Sequence, residues 1–487
     1  MYKLSKRDPV WLMGLAGIVY STGFAPFNWW VLALCAVGYL VYQTAQISDW
    51  KSAFKLGWLF GFTHHVSELY WLYSPFQIEY GSGLGIPLGI LSTLLLSAYL
   101  ALYIGAVSGG ISYLSRFKLS QPVICLLWPL LWVAGEMLRG WLFTGFPWNL
   151  AGYVWSDNVY LLQTAAYGKV WLISGWVILL GALLGQYQRR SLIIAVVLLV
   201  AIGGYGYLRI AQFEQQRAEV ESHIPLNLRL VQPNITQEDK WDVDTKHQQL
   251  KYMLQLGLQG DYSSQPDIII LPETAFTFTM NEHLQLLDNI RDNLKPNQTL
   301  ISGIPSKAWS DKGKFIGYYN SIIALNNYRD NYDTVSDIYH KQLLVPLGEY
   351  VPLRWLMPSF IEKLVKGQFD YVSGNRPPQL EVLGGIKLLP LVCFESIFPQ
   401  YVSAVAEGKD YILILTNDGW FEGTLAKYQH YAMSKLRAVE TGLPVIRVAN
   451  TGISAIIDGL GREKYRMIMG QSNVLNVDIR LVSRISK

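Results

Sequence analysis

Two hydrophobic patterns divide the chain. Up to about Phe213 charges are sparse and long apolar runs recur. A membrane-spanning helix needs about 20 mostly apolar residues. Candidates run from Val10 to Phe24, Trp30 to Ala45, Phe54 to Tyr73, Leu84 to Leu114, Pro122 to Phe143, Ala165 to Leu184 and Ser191 to Leu208. The first two are short and are joined by the tight turn FAPFN. From about Ile224 the period changes. LNLRLVQPNI, DIIILPETAF, TLISGIPS, YNSIIALNN, IKLLPLVCFES, YILILTNDGWF, LPVIRVANTGISAIID and VLNVDIRL read as strands followed by turn residues. Several are almost continuously apolar, as strands buried on both faces are. Helical stretches such as HQQLKYMLQLGL and KYQHYAMSKLRAVETG separate some of them. The pattern predicts a polytopic α-helical membrane half of about seven helices, residues 1–213, then an α/β half with layered αββα architecture, residues 224–487.

Charge orients the helices through the excess of Lys and Arg in cytoplasmic loops. Lys3, Lys6 and Arg7 precede the first candidate; Lys51 and Lys55, Arg116 and Lys118, and Arg189 and Arg190 fall in every second loop after it. The alternate loops, around Ala25-Pro26, SPFQIEYGSG and TGFPWNLAGYVWSDN, carry no Lys or Arg. An N-terminus in the cytoplasm is expected, and an odd helix count puts the second half outside. Lys169, near the outer end of the sixth helix, is a mild exception. A cleavable signal peptide is the competing reading of the N-terminus, but the first run ends in FAPFN rather than a small-x-small site and further spans follow. A signal-anchor helix fits better. Composition agrees with a membrane chain: 51% hydrophobic, only 16% charged, with 17 Trp and 30 Tyr suited to the interfaces. A net charge of +4 and the lack of a basic stripe give no support to nucleic-acid binding. Within the helices, Glu136 and Arg139 share a face and read as a structural pair between helices, with direct substrate contact as the alternative; His64, His65 and Glu68 read as interior packing or a polar cavity. No metal-ligand spacing accompanies them, and no metal or cofactor is expected.

The chemistry gathers beyond the strands of the second half. Glu273 follows DIIILP, Cys393 follows KLLPLV, and Asn417 and Asp418 follow YILILT. Ligands of such sheets lie beyond the carboxyl ends of strands, so separated segments can converge on one site. Cys35 and Cys125 fall in candidate helices and read as small apolar fillers. Cys393 is then left without a disulfide partner in its half, either as packing or as a reactive thiol. A nucleophilic cysteine needs a base, and acyl transfer needs a positive group for the oxyanion. Glu273 in LPETAF is a candidate base and Lys341 in YHKQLLVPLGEYVP a candidate cation; His340 and His430 leave a Cys–His pair open.

PETAF, HKQLLVPLGEYVP and LVCFES, in that order, resemble the Glu-Lys-Cys set of the nitrilase superfamily. With FAPFNWW, EMLRGWLFTGFPWNLAGY, YYNS, TNDGWF and QHYAMSKLRAVETGLPVIRVANTGISAIID, nearly the whole chain resembles its membrane-embedded branch, the apolipoprotein N-acyltransferase family. The resemblance implies a nitrilase-like extracytoplasmic domain behind the helices, in a bacterial inner (cytoplasmic) membrane, with the catalytic domain periplasmic. It implies Glu273 as general base, Lys341 as oxyanion partner and Cys393 as a nucleophile forming a thioester with an acyl chain. The donor would be a phospholipid, phosphatidylethanolamine above others, and the acceptor the N-terminal amine of a diacylated apolipoprotein. Glu349 matches the family's second glutamate and Glu395 the acidic position two after the cysteine; Asn320, Trp241 and Trp420 match positions near the lipid groove. Two departures stand out. Family members carry a further helix after the nitrilase-like half, whereas this sequence ends VSRISK without an apolar run, so the helix is absent or the chain is a shortened version. Phe394 stands where the family often has Tyr. The aromatic and Gly-rich segments GYYNS, FPWNLAGYVW and DGWFEG are expected as lids or interfacial anchors. The competing functions are a membrane-tethered amidase with water as acceptor and a lipid-binding scaffold.

Overall fold

A computed structural model describes residues 10–219, 225–242, 244–258, 266–327, 335–352, 354–355, 363 and 370–480. The chain divides into two compact units. Among the described residues the first takes those up to Gln77, Ser82–Ala211 and Thr424–Leu436; the second takes Ile78–Gly81, Gln212–Gly423 and those from Arg437 onward.

Helices dominate the first unit because apolar runs of this length satisfy their backbone only within themselves. They are α1 (Val10–Ser21), α2 (Trp30–Ala45), α3 (Trp50–Leu69), α4 (Tyr73–Ser115), α5 (Gln121–Arg139), α6 (Ala165–Leu184) and α7 (Arg189–Glu219). The fourth and seventh exceed their sequence-predicted limits, the third is shifted four residues toward the N-terminus, and α4 is broken at Gly81, whose φ is 70°. Among the described residues four helical segments are long and apolar enough to cross a membrane: Trp50–Ser115, Gln121–Arg139, Leu161–Leu184 and Arg189–Gln215. The helices α1 and α2, at 12 and 16 residues, are shorter. Exposed Leu192, Ile193, Val196, Val197 and Val200 give α7 an apolar outer face. Where α1 meets α3, a Cβ on Gly17 would lie 2.2 Å from the Phe60 carbonyl, so only glycine permits that approach.

Glu136 and Arg139 do not pair with each other as expected; each holds the backbone that follows α5. Glu136 Oε1 accepts from the Ala151 amide at 2.7 Å and from Trp132 Nε1 at 3.1 Å. Arg139 Nη2 donates to the Trp148 carbonyl at 2.9 Å. A carbonyl and an amide left without helix partners explain why charges are tolerated there. Trp148 Nε1 in turn donates to Gln429 Oε1 at 2.8 Å, and Gln429 Nε2 donates to Glu68 Oε2 at 3.0 Å. Leu150, Tyr153 and Trp155 are buried, so FPWNLAGYVW is packed structure rather than a lid. Cys125 is buried, but Cys35 lies on an exposed face of α2 and fills no core.

The second unit is a sandwich of two six-stranded sheets. The first has the order β12-β1-β2-β3-β4-β5 and the second β11-β10-β9-β8-β7-β6. The strands are β1 (Pro225–Gln232), β2 (Ile268–Ile270), β3 (Thr299–Trp309), β4 (Phe315–Asn326), β5 (Asp337–His340), β6 (Leu380–Val382), β7 (Ile386–Val392), β8 (Tyr411–Thr416), β9 (Val445–Ala449), β10 (Ala455–Ile457), β11 (Glu463–Arg466) and β12 (Asn473–Arg480). Leu228, Leu230, Ile268, Ile270, Ile301 and Ile322 of the first sheet share one core with Leu388, Val392, Leu413, Leu415, Ile446 and Val448 of the second. The alternate residues Ile269, Leu300, Ile323 and Leu325 pack instead with Met253, Leu287 and Ile290 of helices α9 (Lys246–Leu258) and α10 (Leu284–Asp292). Burial on both faces accounts for the unbroken apolar runs. The short α8 (Gln237–Lys240) follows β1, α11 (Pro399–Val405) links β7 to β8, and α12 (Ala426–Thr441) links β8 to β9. YYNS lies within β4 and pairs along its length with β3; on the other side only Ser321 is in register with β5, while the Tyr318 carbonyl accepts from the Val372 amide and the Asn320 carbonyl from the Lys341 amide, so GYYNS is held in the sheet and is not a lid.

Candidate active site

Four strand ends supply the site. Glu273 stands three residues beyond β2, Lys341 directly beyond β5, Cys393 directly beyond β7, and Asn417 directly beyond β8. The first two belong to one sheet and the last two to the other.

Local backbone sets each side chain. The turn after β2 has Thr274 at φ 47°, and it lies against Gly303 of β3, where an added Cβ would come within 2.2 Å of the Thr274 nitrogen. Glycine at 303 lets this turn sit on the strand; the Phe276 amide then donates to the Gly303 carbonyl at 3.1 Å. At the end of β7 the chain leaves the extended form abruptly: Cys393 has φ 48° and opens a 3₁₀ turn, Cys393–Ile397. Non-glycine residues seldom adopt this left-handed region outside functional turns.

A connected polar network joins the carboxylates and the lysine. Asn320 Nδ2 donates to Glu273 Oε1 at 2.9 Å and to Glu349 Oε1 at 3.4 Å. Lys341 Nζ donates to Glu349 Oε1 at 2.9 Å. Glu349 Oε2 accepts from the Val345 amide at 2.8 Å, and Glu273 Oε2 accepts from the Asn417 amide at 2.7 Å. Lys341 is only 1% exposed and Glu273 8%. Burial alone would lower the Lys341 ammonium, but Glu349 and Glu273 outweigh it and hold it above the ordinary lysine value. Burial pushes the Cys393 thiol up, Glu273 adds to this, and Lys341 and a hydrogen bond with Thr416 oppose it. At neutral pH Cys393 therefore rests as the thiol, and its attack requires a base.

Glu395 has a positional task. Its Oε2 accepts from the Val392 amide at 2.7 Å, and its Oε1 from the Gln342 amide at 2.7 Å, the Leu343 amide at 3.1 Å and the Tyr339 hydroxyl at 2.7 Å. One buried carboxylate thus ties the cysteine turn to the segment that follows Lys341.

The remaining sequence-predicted residues lie at the border. Trp241 caps α8, half-buried, with the Lys246 ammonium 5.9 Å from its ring centroid. Trp420 is half-buried in the 3₁₀ turn Asp418–Phe421. Neither bonds to Glu273, Lys341 or Cys393. His340 does not serve the cysteine: its Nδ1 lies 2.8 Å from Ser321 Oγ, its ring stacks on Tyr319, and burial lowers it to about 4. His430 stacks on Trp148 in the helical unit. Two contributors escape sequence reading. Thr416 is the last residue of a plain apolar strand. Lys240, in QEDKWD, looks like a surface lysine, yet it is 4% exposed and its Nζ donates to the Glu273 carbonyl at 3.0 Å.

Comparison with known proteins places both halves. Residues 16–183 match the model of the apolipoprotein N-acyltransferase N-terminal domain, and residues 227–487 match that of carbon-nitrogen hydrolase. An apolipoprotein N-acyltransferase of Rickettsia typhi is 32% identical over 472 residues, covering 95% of this chain and 90% of that relative. One of Allorhizobium ampelinum is 34% identical over 454 residues, covering 88% and 80%. Among solved structures, an amidase from Nesterenkonia sp. AN1 is 17% identical, with a TM-score of 0.36, over 52% of this chain and 90% of that one.

Proposed function

Because the chain belongs to the apolipoprotein N-acyltransferase family, we propose that Glu273, Lys341 and Cys393 carry a phospholipid acyl chain to the N-terminal amine of a diacylated apolipoprotein. The convergence of a carboxylate, a buried lysine and a cysteine from the ends of β2, β5 and β7 is the observation that carries this reading.

In the first half-reaction Glu273 takes the Cys393 proton and the thiolate attacks the sn-1 ester carbonyl of the donor. Lys341 faces the negative charge that develops on the carbonyl oxygen. The C–O bond breaks, Glu273 returns the proton to the departing lysophospholipid alkoxide, and a thioester remains on Cys393. In the second half the acceptor's neutral α-amine attacks the thioester. Glu273 takes the amine proton, the C–S bond breaks, and the thiolate is reprotonated. This is ping-pong chemistry. Glu349 and Asn320 keep Lys341 and Glu273 in register, and Trp241 and Trp420 border the entrance for lipid.

Both substrates are anchored lipids. Extracting one acyl chain into water costs about 0.8 kcal/mol per CH₂, which favours fixing the catalytic half, 224–487, to a helical half, 1–213, of about seven helices in the membrane. Charge alternation in the loops supports a cytoplasmic N-terminus and a periplasmic catalytic half in the inner membrane; phosphatidylethanolamine is the proposed donor.

The test is direct. Purified protein incubated with phosphatidylethanolamine acquires a hydroxylamine-sensitive acyl adduct on the Cys393 peptide, read by mass spectrometry, and passes it to a diacylated lipopeptide. No adduct, or an adduct that persists in Cys393→Ala, sinks the mechanism. Lysophospholipid release with no lipopeptide product would make water the acceptor and the protein a hydrolase.

A further inference from the structure

We propose that Lys240 is a further positioning residue of this site: from α8 its buried ammonium holds the main chain of Glu273 and adds a second positive charge to the site that Glu273 shares with Cys393. The inference rests on the reading of Cys393 as nucleophile.

The contacts of Lys240 are unlike those of Lys341. Lys341 is neutralised by Glu349 at 2.9 Å. Among the described residues Lys240 has no carboxylate partner within ion-pair distance. Its one side-chain hydrogen bond, 3.0 Å to the Glu273 carbonyl, uses one of three ammonium protons. A lysine this buried is seldom left so poorly partnered without a task. Its reach is fixed, because α8 is tied to both neighbouring strand ends. Gln237 Oε1 accepts from Asn417 Nδ2 at 2.7 Å, Asn450 Nδ2 donates to Asn417 Oδ1 at 2.9 Å, and the Ile235 amide donates to Asn450 Oδ1 at 3.0 Å.

The charges around it define the effect. Glu273 beyond β2 and Cys393 beyond β7 both act on the ammonium. Around Cys393 stand Lys341, committed to Glu349, and Asp418, which is paired with Arg447 at 2.9 Å. The acidic residues of α8 itself, Glu238 and Asp239, are exposed. A thiol pushed up by burial and by Glu273 gains from any nearby positive charge, since this favours the thiolate. Burial lowers Lys240 to about 8, with Glu273 and Cys393 working against that. Lys240 is therefore charged at pH 7, and its support is withdrawn as pH rises through about 8.

Alkylation of the full-length protein in detergent by iodoacetamide, located by mass spectrometry and followed from pH 6 to 10, tests this. The expected result is a roughly tenfold slower reaction of Cys393 at pH 7 in Lys240→Met, with Lys240→Arg within about threefold of wild type. Wild type shows an inflection near pH 8 that Lys240→Arg removes. Wild-type rates and profile in Lys240→Met overturn the proposal. So does an Arg variant as slow as the Met variant at an unchanged thermal midpoint. Should Lys240→Met fail to fold, a wild-type profile without the inflection overturns it alone. A label on Cys35 or Cys125 in place of Cys393 brings down the nucleophile reading and this inference with it; a label on Cys393 indifferent to Lys240 brings down this inference only.

Discussion

Glu395 shows how a side chain beside the proposed nucleophile, Cys393, can matter without touching substrate. Its two oxygens accept from three amides and a tyrosine hydroxyl, and burial still raises its carboxyl above the usual range. Glutamine keeps the size but turns an N–H₂ toward donors already committed to that spot. A buried donor left without a partner costs about 1–3 kcal/mol, so Glu395→Gln is expected to lose about 2–4 kcal/mol of stability and to lower the thermal midpoint in detergent. A midpoint equal to that of wild type would remove the tie from the argument. Sequence reading reached this residue only through resemblance. A glutamate two positions after a cysteine carries no local sign that three of its four partners lie more than 50 residues upstream. Asn320 and Lys240 share that difficulty: burial of a polar side chain against partners distant in sequence arises only on folding.

At the scale of elements the long, strongly apolar strands were legible because β-branched runs buried on both faces leave little alternative. The strands β5, β6 and β11 were not: DIYH, LEV and EKYR are three or four residues long, and all three are sheet edges. LPVIRVANTGISAIID read as one strand but makes two, β9 and β10, which run antiparallel across the intervening turn. The GYYNS expectation failed for a related reason. Aromatic and glycine content suggests a mobile segment, yet pairing with β3 on one side and backbone bonds from Lys341 and Val372 on the other hold it in the sheet. The same packing yields a prediction at Gly303, where strand β3 meets the turn carrying Glu273. An added methyl would press on backbone atoms at 2.2 and 2.8 Å, which cannot rotate away. Gly303→Ala is expected to cost about 1–3 kcal/mol, as overpacking does, and to slow acyl-enzyme formation at least tenfold by moving the Glu273 turn. Stopped-flow or quenched acylation against a thermal melt separates the two effects, and wild-type acylation in a folded variant would show that the turn has slack.

For the whole molecule the proposed topology is open to a simple measurement. Trypsin added to intact spheroplasts should degrade the half beyond Phe213 while the basic loops holding Lys51, Arg116 and Arg189 stay protected; the reverse pattern inverts the orientation. The sandwich carries one more consequence. The proposed base, Glu273, and Lys341 ride on one sheet, while the Cys393 thiol and the Asn417 amide that bonds Glu273 ride on the other. The two sheets act like the jaws of a calliper, with the gap set by side chains such as Ile270, Ile322, Leu388 and Leu415 deep in the shared interior. A slip of one jaw by about 1 Å can cost about a hundredfold in rate. The oily interior thus serves as the gauge that sets the spacing of the reacting groups, and a trimmed methyl far from Cys393 can disarm the enzyme while leaving it folded.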